Sequence, residues 1–171
     1  METRTVKYTV YNRNGKVPKR IADTTEITLP DLEYLSETIS GAGINGEVDF
    51  PTLGQLAAAT LSISERSLGE NSIEISAPKT QNLELRWAAM ALNETTGAVE
   101  TVDKKVIFKG LPKKLTLGKL APNSAEESAL DFEMLYLKYI VKGVVKIEID
   151  KLNDRFIVNG VDYNAAIKNV L

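Results

Sequence analysis

The segment Leu130-Asp-Phe-Glu-Met-Leu-Tyr-Leu-Lys-Tyr-Ile-Val141, followed by Lys142-Gly143 and Val144-Val-Lys-Ile-Glu-Ile-Asp150, carries the strongest β-strand signal in the chain. Aromatic and β-branched residues dominate both runs, and the Lys-Gly pair between them is typical of a tight turn. From Met134 to Val141 both faces of the first strand are apolar. We therefore expect a β-hairpin whose first strand meets its own core on one face and something else on the other.

Further strands are predicted on the N-terminal side of this hairpin. Leu83 to Leu92 places apolar residues on one face, and turn residues then lead to a second strand that carries Val102, Val106 and Phe108. Other expected strands span Val6 to Tyr11, part of Ile21 to Leu29, and Ala58 to Ser64. Leu68 to Ala77 fits either a short strand or the start of a helix.

The C-terminal segment predicts a short helix over residues 162–170, with Asp162 as its N-cap. Together these elements predict a mostly β protein, an antiparallel β-sandwich or open barrel of roughly seven or eight strands. One or two short helices, including the C-terminal one, complete it. Neither a repeat nor a linker divides the chain, so we expect a single domain over residues 1–171.

The composition is typical of a soluble globular protein: 171 residues, 43% of them hydrophobic and 26% charged. Cysteine and histidine are both absent, which removes disulfides, thiolate nucleophiles, the usual zinc ligands and the commonest general base. We therefore expect a non-enzymatic protein without catalytic, cofactor-binding or metal-binding residues. The N-terminus has no apolar signal core, which favours synthesis in the cytoplasm.

Charge is divided between two adjacent segments. Residues 1–20 form a basic N-terminal arm with six Lys or Arg residues against one Glu, whereas residues 21–50 contain seven acidic residues and no basic one. The arm alternates with apolar residues, and the chain lacks the overall basic balance of a protein that tracks phosphates. We expect the arm to pair with the acidic segment, in the same subunit or in the next.

Gly41, Gly43 and Gly46 have the spacing G-x-G-x-x-G, which in a βαβ unit lets a pyrophosphate approach a helix N-terminus. Here the preceding residues are too polar for a buried strand, and Glu47 and Asp49 stand where the phosphate would lie. We instead predict an extended glycine-rich loop or hairpin over residues 31–50 that projects from the body. An ordinary surface loop is the alternative.

Three segments follow one another in a distinctive order. They are Glu26-Ile-Thr-Leu-Pro-Asp-Leu-Glu-Tyr34 with Gly41-Ala-Gly-Ile-Asn-Gly46, the strand pair from Leu130 to Asp150, and Phe156-Ile-Val-Asn-Gly-Val-Asp-Tyr-Asn-Ala-Ala-Ile167. Together they resemble the major tail tube proteins of contractile-tailed, myovirus-type bacteriophages and related contractile injection systems. The resemblance spans residues 21–171, although 65–128 match only in outline. The sequence departs from the family pattern at residues 67–78 and 113–119.

The resemblance implies a structural subunit of the inner tail tube of a phage tail or a phage-derived bacteriocin. Homohexameric rings would stack into a conduit for DNA delivery. The implied partners are other copies of the chain, the tail sheath protein, a tape-measure protein in the lumen, and the baseplate and tail terminator proteins. DNA would pass transiently, without sequence-specific binding. The implied location is the virion tail, after assembly in the cytoplasm of the bacterial host.

Two sets of residues are candidates for this assembly. For contacts between subunits, the basic arm and the glycine-rich segment contribute Arg4, Lys7, Arg13, Lys16, Ile39, Gly41, Gly43, Ile44, Gly46, Glu47 and Asp49. A lumen that conducts DNA should be polar and not basic, because a basic lining would hold the phosphates. Strand alternation gives two candidate faces for the lumen, one with Thr60, Ser62 and Ser64 and the other with Asp131 and Glu133.

Two other classes of protein share parts of this pattern. A monomeric β-sandwich module, such as a carbohydrate-binding or adhesin domain, would use Trp87 or Tyr136 as a stacking platform. An enzyme would use acidic pairs such as Asp131 with Glu133 or Glu126 with Glu127. Glycoside hydrolysis needs two carboxylates across a cleft, however, and adjacency in sequence does not provide one. Self-assembly distinguishes a tube subunit from both alternatives.

Overall fold

The structure is a computed structural model that describes all residues from Met1 to Leu171. It contains twelve strands and two short helices. The strands are β1 (Glu2–Asn12), β2 (Lys19–Ile21), β3 (Thr24–Thr28), β4 (Tyr34–Ser40), β5 (Glu47–Leu56), β6 (Thr60–Glu65), β7 (Gln81–Leu92), β8 (Val99–Thr116), β9 (Ser128–Val141), β10 (Val144–Asp150), β11 (Arg155–Val158) and β12 (Val161–Asp162). The helices are α1 (Glu70–Ile75) and α2 (Ala165–Lys168).

Strand β9, which contains the run with the strongest β signal, pairs with three other strands. One of its edges pairs with β8 from Ala129 to Val141. The other edge is divided between two partners: residues 128–133 pair with β6, and residues 136–141 pair with β10. The predicted hairpin of β9 and β10 is therefore present, and β9 also joins two branches of the sheet.

Ten strands form one sheet in which every strand pair is antiparallel. Its main path is β12-β11-β10-β9-β8-β7-β1-β2, and β6 with β3 branches from β9. The predicted fold class, mostly antiparallel β of the sandwich or open-barrel kind with one or two short helices including a C-terminal one, is confirmed, and the sheet is not closed. The number of strands exceeds the seven or eight expected, because short strands form at β2, β11 and β12, where the alternation is too brief to be recognised, and because β4 and β5 add a separate pair.

Both branches of the sheet cover one hydrophobic core. The core cluster consists of Val10, Ile21, Ala59, Leu61, Ile63, Ile75, Leu83, Leu85, Val106, Phe108, Leu130, Phe132, Met134, Leu137, Ile149 and Phe156. These residues come from β1 and β2 at one end of the path, from β6 on the branch, and from β10 and β11 at the other end. The sheet must therefore bend around the core to bring them together.

The pairing between β8 and β9 is irregular at two places. The register shifts between Lys109 and Gly110 and again between Pro112 and Lys114. A Cβ atom on Gly110 would lie 2.5 Å from the backbone oxygen of Glu133 and 2.5 Å from a ring carbon of Phe108. Glycine is required here because β8 and β9 approach too closely for any side chain.

Helix α1 lies within Leu68 to Ala77, the segment for which the sequence fits either a short strand or the start of a helix. The Asn71 side chain donates a hydrogen bond to the Arg20 carbonyl of β2 at 2.9 Å, and Lys19 Nζ lies 2.9 Å from Glu74 Oε2. Ile75 is fully buried in the core. The departure from the family pattern at residues 67–78 therefore still allows a helix to pack on the sheet.

The C-terminal helix is shorter than predicted, and Asp162 is not its N-cap. Asp162 lies in β12 and its Oδ1 accepts a hydrogen bond from the backbone N–H of Asn164, 3.0 Å away. This contact is an Asx turn, in which the side chain caps a turn two residues on. Because of this turn, the helix begins only after Asn164. It spans residues 165–168, whereas the sequence predicts residues 162–170.

Candidate assembly surfaces

Residues 31–50 contain a hairpin and are not an ordinary surface loop. β4 and β5 form a separate two-stranded sheet, paired from Ser36 with Pro51 to Ser40 with Glu47. The base is attached to the body: the Tyr34 ring lies 5.9 Å from that of Phe156, and the backbone N–H of residue 57 donates to the carbonyl of residue 33. Residues 35–53 beyond this base are all exposed.

The three glycines form the tip of this hairpin. Gly43 and Gly46 have φ angles of 97° and 104°, in the left-handed region that glycine adopts without steric cost. Nothing approaches within 4 Å of a Cβ built on Gly41, Gly43 or Gly46, so backbone conformation and not crowding requires them. The tip joins two antiparallel strands and no helix follows it, so a dinucleotide site is excluded.

One side of the hairpin, which we call the hairpin face, carries the four apolar residues Leu35, Ile39, Val48 and Phe50 together with Glu37. Ile39 pairs with Val48, and Phe50 pairs with Glu37, so strand alternation places these side chains on the same side. The four apolar side chains are 51%, 42%, 47% and 61% exposed respectively. The opposite side carries Glu47 and Asp49. An exposed apolar surface of this kind marks an interaction site.

Only Ile39 of the hairpin face was among the predicted contact residues. The alternation Glu47-Val-Asp-Phe50 was the signal that would have identified Val48 and Phe50. Ile44, which was predicted, lies at the tip, where its backbone N–H donates to the Gly41 carbonyl.

The basic arm is a strand of the sheet, because β1 pairs with β7 along its length. Arg4, Lys7 and Lys16 are exposed and form no ion pair within the chain. Arg13 instead contacts the buried carboxylate of Glu84, at 3.2 Å. None of the ion pairs joins residues 1–20 to residues 21–50, so the expected pairing does not form within one subunit. Pairing between subunits remains a prediction.

The outer edge of β1 is largely free. β2 pairs with it only from Val10 to Asn12, which leaves Glu2 to Thr9 without a partner strand on that side. β3, on the other branch of the sheet, pairs only with β6. The unclosed sheet therefore exposes backbone hydrogen-bonding groups to which another chain can pair.

The five lumen candidates lie together on one surface, which we call the polar face. Ser62 Oγ donates to Asp131 Oδ1 at 2.7 Å, and Thr60 pairs with Glu133 across the same two strands. Leu61 and Ile63 point the other way and are buried, as the alternation predicted. Ser64, the fifth candidate, is half-buried on β6.

Two lysines partly neutralise Glu133 of the polar face. Lys113 Nζ lies 3.7 Å from Glu133 Oε2, and Lys151 Nζ lies 4.0 Å from Glu133 Oε1. Glu133 Oε1 also accepts a hydrogen bond from the backbone N–H of Ala59 at 3.2 Å. These carboxylates are thus held in ion pairs and hydrogen bonds on one sheet surface. They do not face each other across a cleft.

Both aromatic residues considered as stacking platforms have partners within the chain. Trp87 packs edge-on against Tyr139 with ring centroids 5.7 Å apart and contacts the core. The Tyr136 hydroxyl donates to Glu148 Oε1 at 3.2 Å, and burial together with this carboxylate raises the pKa of Tyr136 to about 12. Lys109 Nζ lies 5.4 Å from the centre of the Tyr136 ring.

Comparison with known proteins gives the family. Residues 5–171 match the family described as phage tail tube protein FII. The chain belongs to this family. It is also 30% identical over 141 residues to the tail tube protein of Escherichia phage P2, covering 80% of this chain and 79% of that protein. The resemblance drawn from the three sequence segments is thereby confirmed, and the chain is a phage tail tube protein, a component of the phage tail.

Solved structures with lower similarity come from contractile injection systems. One is the sheath/tube terminator of an extracellular contractile injection system, at 12% identity and a TM-score of 0.47, covering 80% of this chain and 93% of that one. Another is a chain of the anti-feeding prophage baseplate, at 18% identity and a TM-score of 0.46, covering 84% and 99%. The assignment of this phage tail tube protein rests on the family match and the P2 relative. Neither of its helices is long and apolar enough to span a membrane.

Proposed function

We propose that this tail tube protein is a non-enzymatic subunit whose copies join into hexameric rings, which stack into the inner tube of a contractile phage tail or a phage-derived bacteriocin. The observation that carries the proposal is the projecting hairpin, whose apolar face has no partner in its own chain. A two-stranded hairpin is marginal in water by itself. An exposed apolar face on such an element is therefore best explained by burial in an assembly.

Ring formation would use the free strand edges. The outer edge of β1 from Glu2 to Thr9 has unpaired backbone groups, and the sheet is open next to it. A head-to-tail contact that closes by rotation pairs each free edge with the next subunit and leaves none exposed. An edge is thus available for this contact, and six copies is the number that the family resemblance implies.

Stacking of rings would use the hairpin and the charges around it. Arg4, Lys7 and Lys16 are unpaired in the chain, as are Glu47 and Asp49. Exposed ion pairs contribute only about 0.2–1 kcal/mol each and weaken with salt. Burial of the hairpin face, at roughly 25 cal/mol per Å² of apolar surface, should contribute more to the free energy of stacking. Charge would then select the register, and apolar burial would supply most of the affinity.

The polar face is proposed as the lining of the lumen. It carries the hydroxyl groups of Thr60, Ser62 and Ser64 and the carboxylates of Asp131 and Glu133, and two of the neighbouring lysines, Lys113 and Lys151, are held against Glu133. DNA would pass without sequence-specific contacts. The proposed partners are the tail sheath protein, a tape-measure protein in the lumen, and the baseplate and tail terminator proteins.

Negative-stain electron microscopy of the purified chain tests this function. We expect rings or tubes, and we expect tubes to persist when the salt concentration is raised well above the physiological ~0.15 M. A chain that stays monomeric at high concentration would contradict the proposal and would favour the carbohydrate-binding alternative. Tubes that dissociate at moderate salt would still support the tube function. They would show, however, that charge and not apolar burial supplies most of the affinity between rings.

A further inference from the structure

The hairpin leaves the body through an irregular stretch of β5. Tyr34 pairs with Leu56 and Ser36 pairs with Pro51, so β5 advances five residues while β4 advances two. Gly54 lies in this stretch and has a φ angle of 83°, in the left-handed region. Extra residues in one strand of a pair bend that strand. The direction in which the hairpin projects is therefore set at residues 52–55.

Asn164 packs into this bend from the C-terminal segment. Its Nδ2 atom donates a hydrogen bond to the Gly54 carbonyl at 3.3 Å, and a Cβ atom on Gly54 would collide with its Oδ1 atom. Asn164 is only 4% exposed. Lys151 Nζ also holds this strand, but it donates to the Ala57 carbonyl, nearer to the body. The bond to Gly54 is thus the hydrogen bond between hairpin and body that lies farthest toward the tip along β5.

The backbone of Asn164 is fixed by the turn that follows β12. Its N–H donates to Asp162 Oδ1 at 3.0 Å, and its carbonyl accepts from the N–H of Lys168 at 3.0 Å. The N–H of Tyr163 donates to the Phe156 carbonyl at 2.9 Å, which ties this segment to β11. The Asn164 side chain is therefore held against β5 by a backbone that has little freedom to move.

Stability of the body alone does not explain this contact. Asn164 Oδ1 is buried without a hydrogen-bond partner, which costs free energy. The one hydrogen bond that the side chain forms joins it to Gly54, a residue of the hairpin strand. A buried polar group that is left unpaired in a native structure calls for a specific explanation. Control of the direction of the hairpin provides one.

We propose that Asn164 is a positioning residue, which fixes the angle between the hairpin and the body and so prepares the hairpin for stacking. This inference rests on the tube function proposed above. A hairpin that swings about its base occupies the binding position for only part of the time, and its apparent affinity falls by that fraction. Asn164 raises the fraction in the free monomer, so less ordering remains for the moment of contact.

Distances within the monomer test this role directly. The chain has no cysteine, so Thr38→Cys on β4 and Ile73→Cys on α1, both exposed, provide two unique sites for spin labels. Double electron–electron resonance then measures the distance between hairpin and body at a concentration where the chain is monomeric. We expect a narrow distribution of distances when Asn164 is present and a broader one in Asn164→Ala. Identical distributions would overturn the proposal.

Unfolding measurements separate positioning from ordinary stabilisation. Asn164→Ala removes the bond to Gly54 together with the unpaired Oδ1, so we expect the urea midpoint to stay close to that of the wild type. Asn169→Ala is the matched control, because Asn169 lies in the same segment and is exposed. We expect it to change neither the midpoint nor the distances. A midpoint of Asn164→Ala far below both would show a structural residue and would overturn the proposal.

Tube formation then shows whether the direction of the hairpin matters for assembly. We expect the chain concentration needed for tubes, measured by sedimentation, to rise severalfold in Asn164→Ala and to stay unchanged in Asn169→Ala. Tubes that form at the same concentration despite a broader distance distribution would overturn the positioning role and leave the tube function intact. A wild-type chain that forms no tubes would overturn the tube function, and with it the role of Asn164 in assembly, whereas the distances in the monomer do not depend on tubes.

Gly54→Ala repeats the test from the other side of the contact. Its added methyl displaces the Asn164 side chain, so we expect the same broader distances and the same severalfold loss of assembly. Gly97→Ala is the control for backbone strain, since Gly97 has a φ angle of 71° and nothing lies within 4 Å of a Cβ built on it. Distances in Gly54→Ala that match those in Gly97→Ala would overturn the proposal.

Discussion

The body of the subunit and its hairpin use apolar residues in opposite ways. In the body, sixteen residues form one buried cluster, and most of them come from strands of both branches of the sheet. In the hairpin, none of the residues from Tyr34 to Leu56 is buried, although Leu35, Ile39, Val48 and Phe50 share one side of the hairpin, with Glu37 among them. The same residue types thus stabilise the monomer in one region and have no partner in the other.

This difference separates the apolar residues that stabilise the folded monomer from those that can stabilise only an assembly. Burial within the body contributes to the free energy of unfolding of the monomer, whereas the hairpin face can contribute only once another molecule covers it. Substitutions in the two regions should therefore separate stability from assembly. Four substitutions, taken from the largest expected effect on monomer stability to the smallest, test this separation by urea unfolding at a concentration where the chain is monomeric.

Phe132→Ala should have the largest effect. Phe132 is 0% exposed in the centre of the core, and removal of a buried phenylalanine side chain costs about 3–5 kcal/mol. Urea unfolding should show a lower midpoint with a similar slope. A loss below about 1 kcal/mol, within the range of ordinary surface and partly buried changes, would contradict the position assigned to this ring.

Gly110→Ala should have the next largest effect. Its added methyl would lie 2.5 Å from the Glu133 carbonyl oxygen, and overpacking of this kind costs about 1–3 kcal/mol. Gly15→Ala is the matched control, since its Cβ would meet only the Val17 oxygen at 3.9 Å. Equal stabilities of the two variants would show that β8 and β9 can separate at Gly110 without cost.

Glu65→Gln should stabilise the monomer at neutral pH, by less than either loss above. Glu65 is 1% exposed, its Oε1 accepts from Ser72 Oγ at 2.5 Å, and its Oε2 has no partner. Burial raises the pKa of this carboxyl above its usual 4.5, so the folded state binds the proton more tightly than the unfolded state. The stability this provides is complete below pH 4.5 and is lost as the pH rises through the folded pKa.

Glutamine stays neutral over this pH range, whereas the Glu65 carboxyl becomes charged. The free energy of unfolding of Glu65→Gln should therefore exceed that of the wild type by an amount that grows from pH 4.5 upward. Unfolding curves from about pH 4 to about pH 8 measure the difference. Glu70→Gln, at an exposed position in the first turn of α1, is the control. A difference between Glu65→Gln and wild type that does not change with pH would contradict the burial of a charged group at this site.

Phe50→Ala should have the smallest effect on the monomer and a complete effect on assembly. Phe50 is 61% exposed, and surface substitutions usually change stability by no more than about 0.5 kcal/mol. Electron microscopy should nevertheless show loss of tubes. Leu120→Ala, at a position 90% exposed outside the hairpin, should leave tubes intact. If Phe50→Ala destabilises the monomer as much as Phe132→Ala does, the proposal that the hairpin contributes to assembly and not to monomer stability is contradicted.

The sequence predicts the body well because the core imposes alternation. Leu61 and Ile63, or Val106 and Phe108, are spaced two apart since successive side chains of a strand point to opposite faces. Alternation also placed Ser62 and Asp131 on the same side of their strands, although only the structure shows that they form a hydrogen bond. Those parts of the fold follow from local pattern.

Other features depend on contacts between residues far apart in sequence. The buried carboxylate of Glu84 lies beside Arg13 and Arg86, and nothing in its own segment indicates burial. Asp162 is a residue type favoured at helix N-caps, but its pairing with Ile157 of β11 places it in β12, and the helix begins only after Asn164. The hairpin face escaped prediction because its apolar residues alternate with acids, and such a pattern does not reveal whether the covering surface belongs to the same molecule.

The pairing of β9 with three strands should make the body mechanically stiff. Since one continuous backbone belongs to both branches of the sheet, no loop separates them about which they could rotate. A load applied to the β6 branch must pass to β10 through the covalent chain and its ladders of hydrogen bonds. The subunit body should thus deform as a single block under force, with compliance confined to the slender hairpin that leaves it.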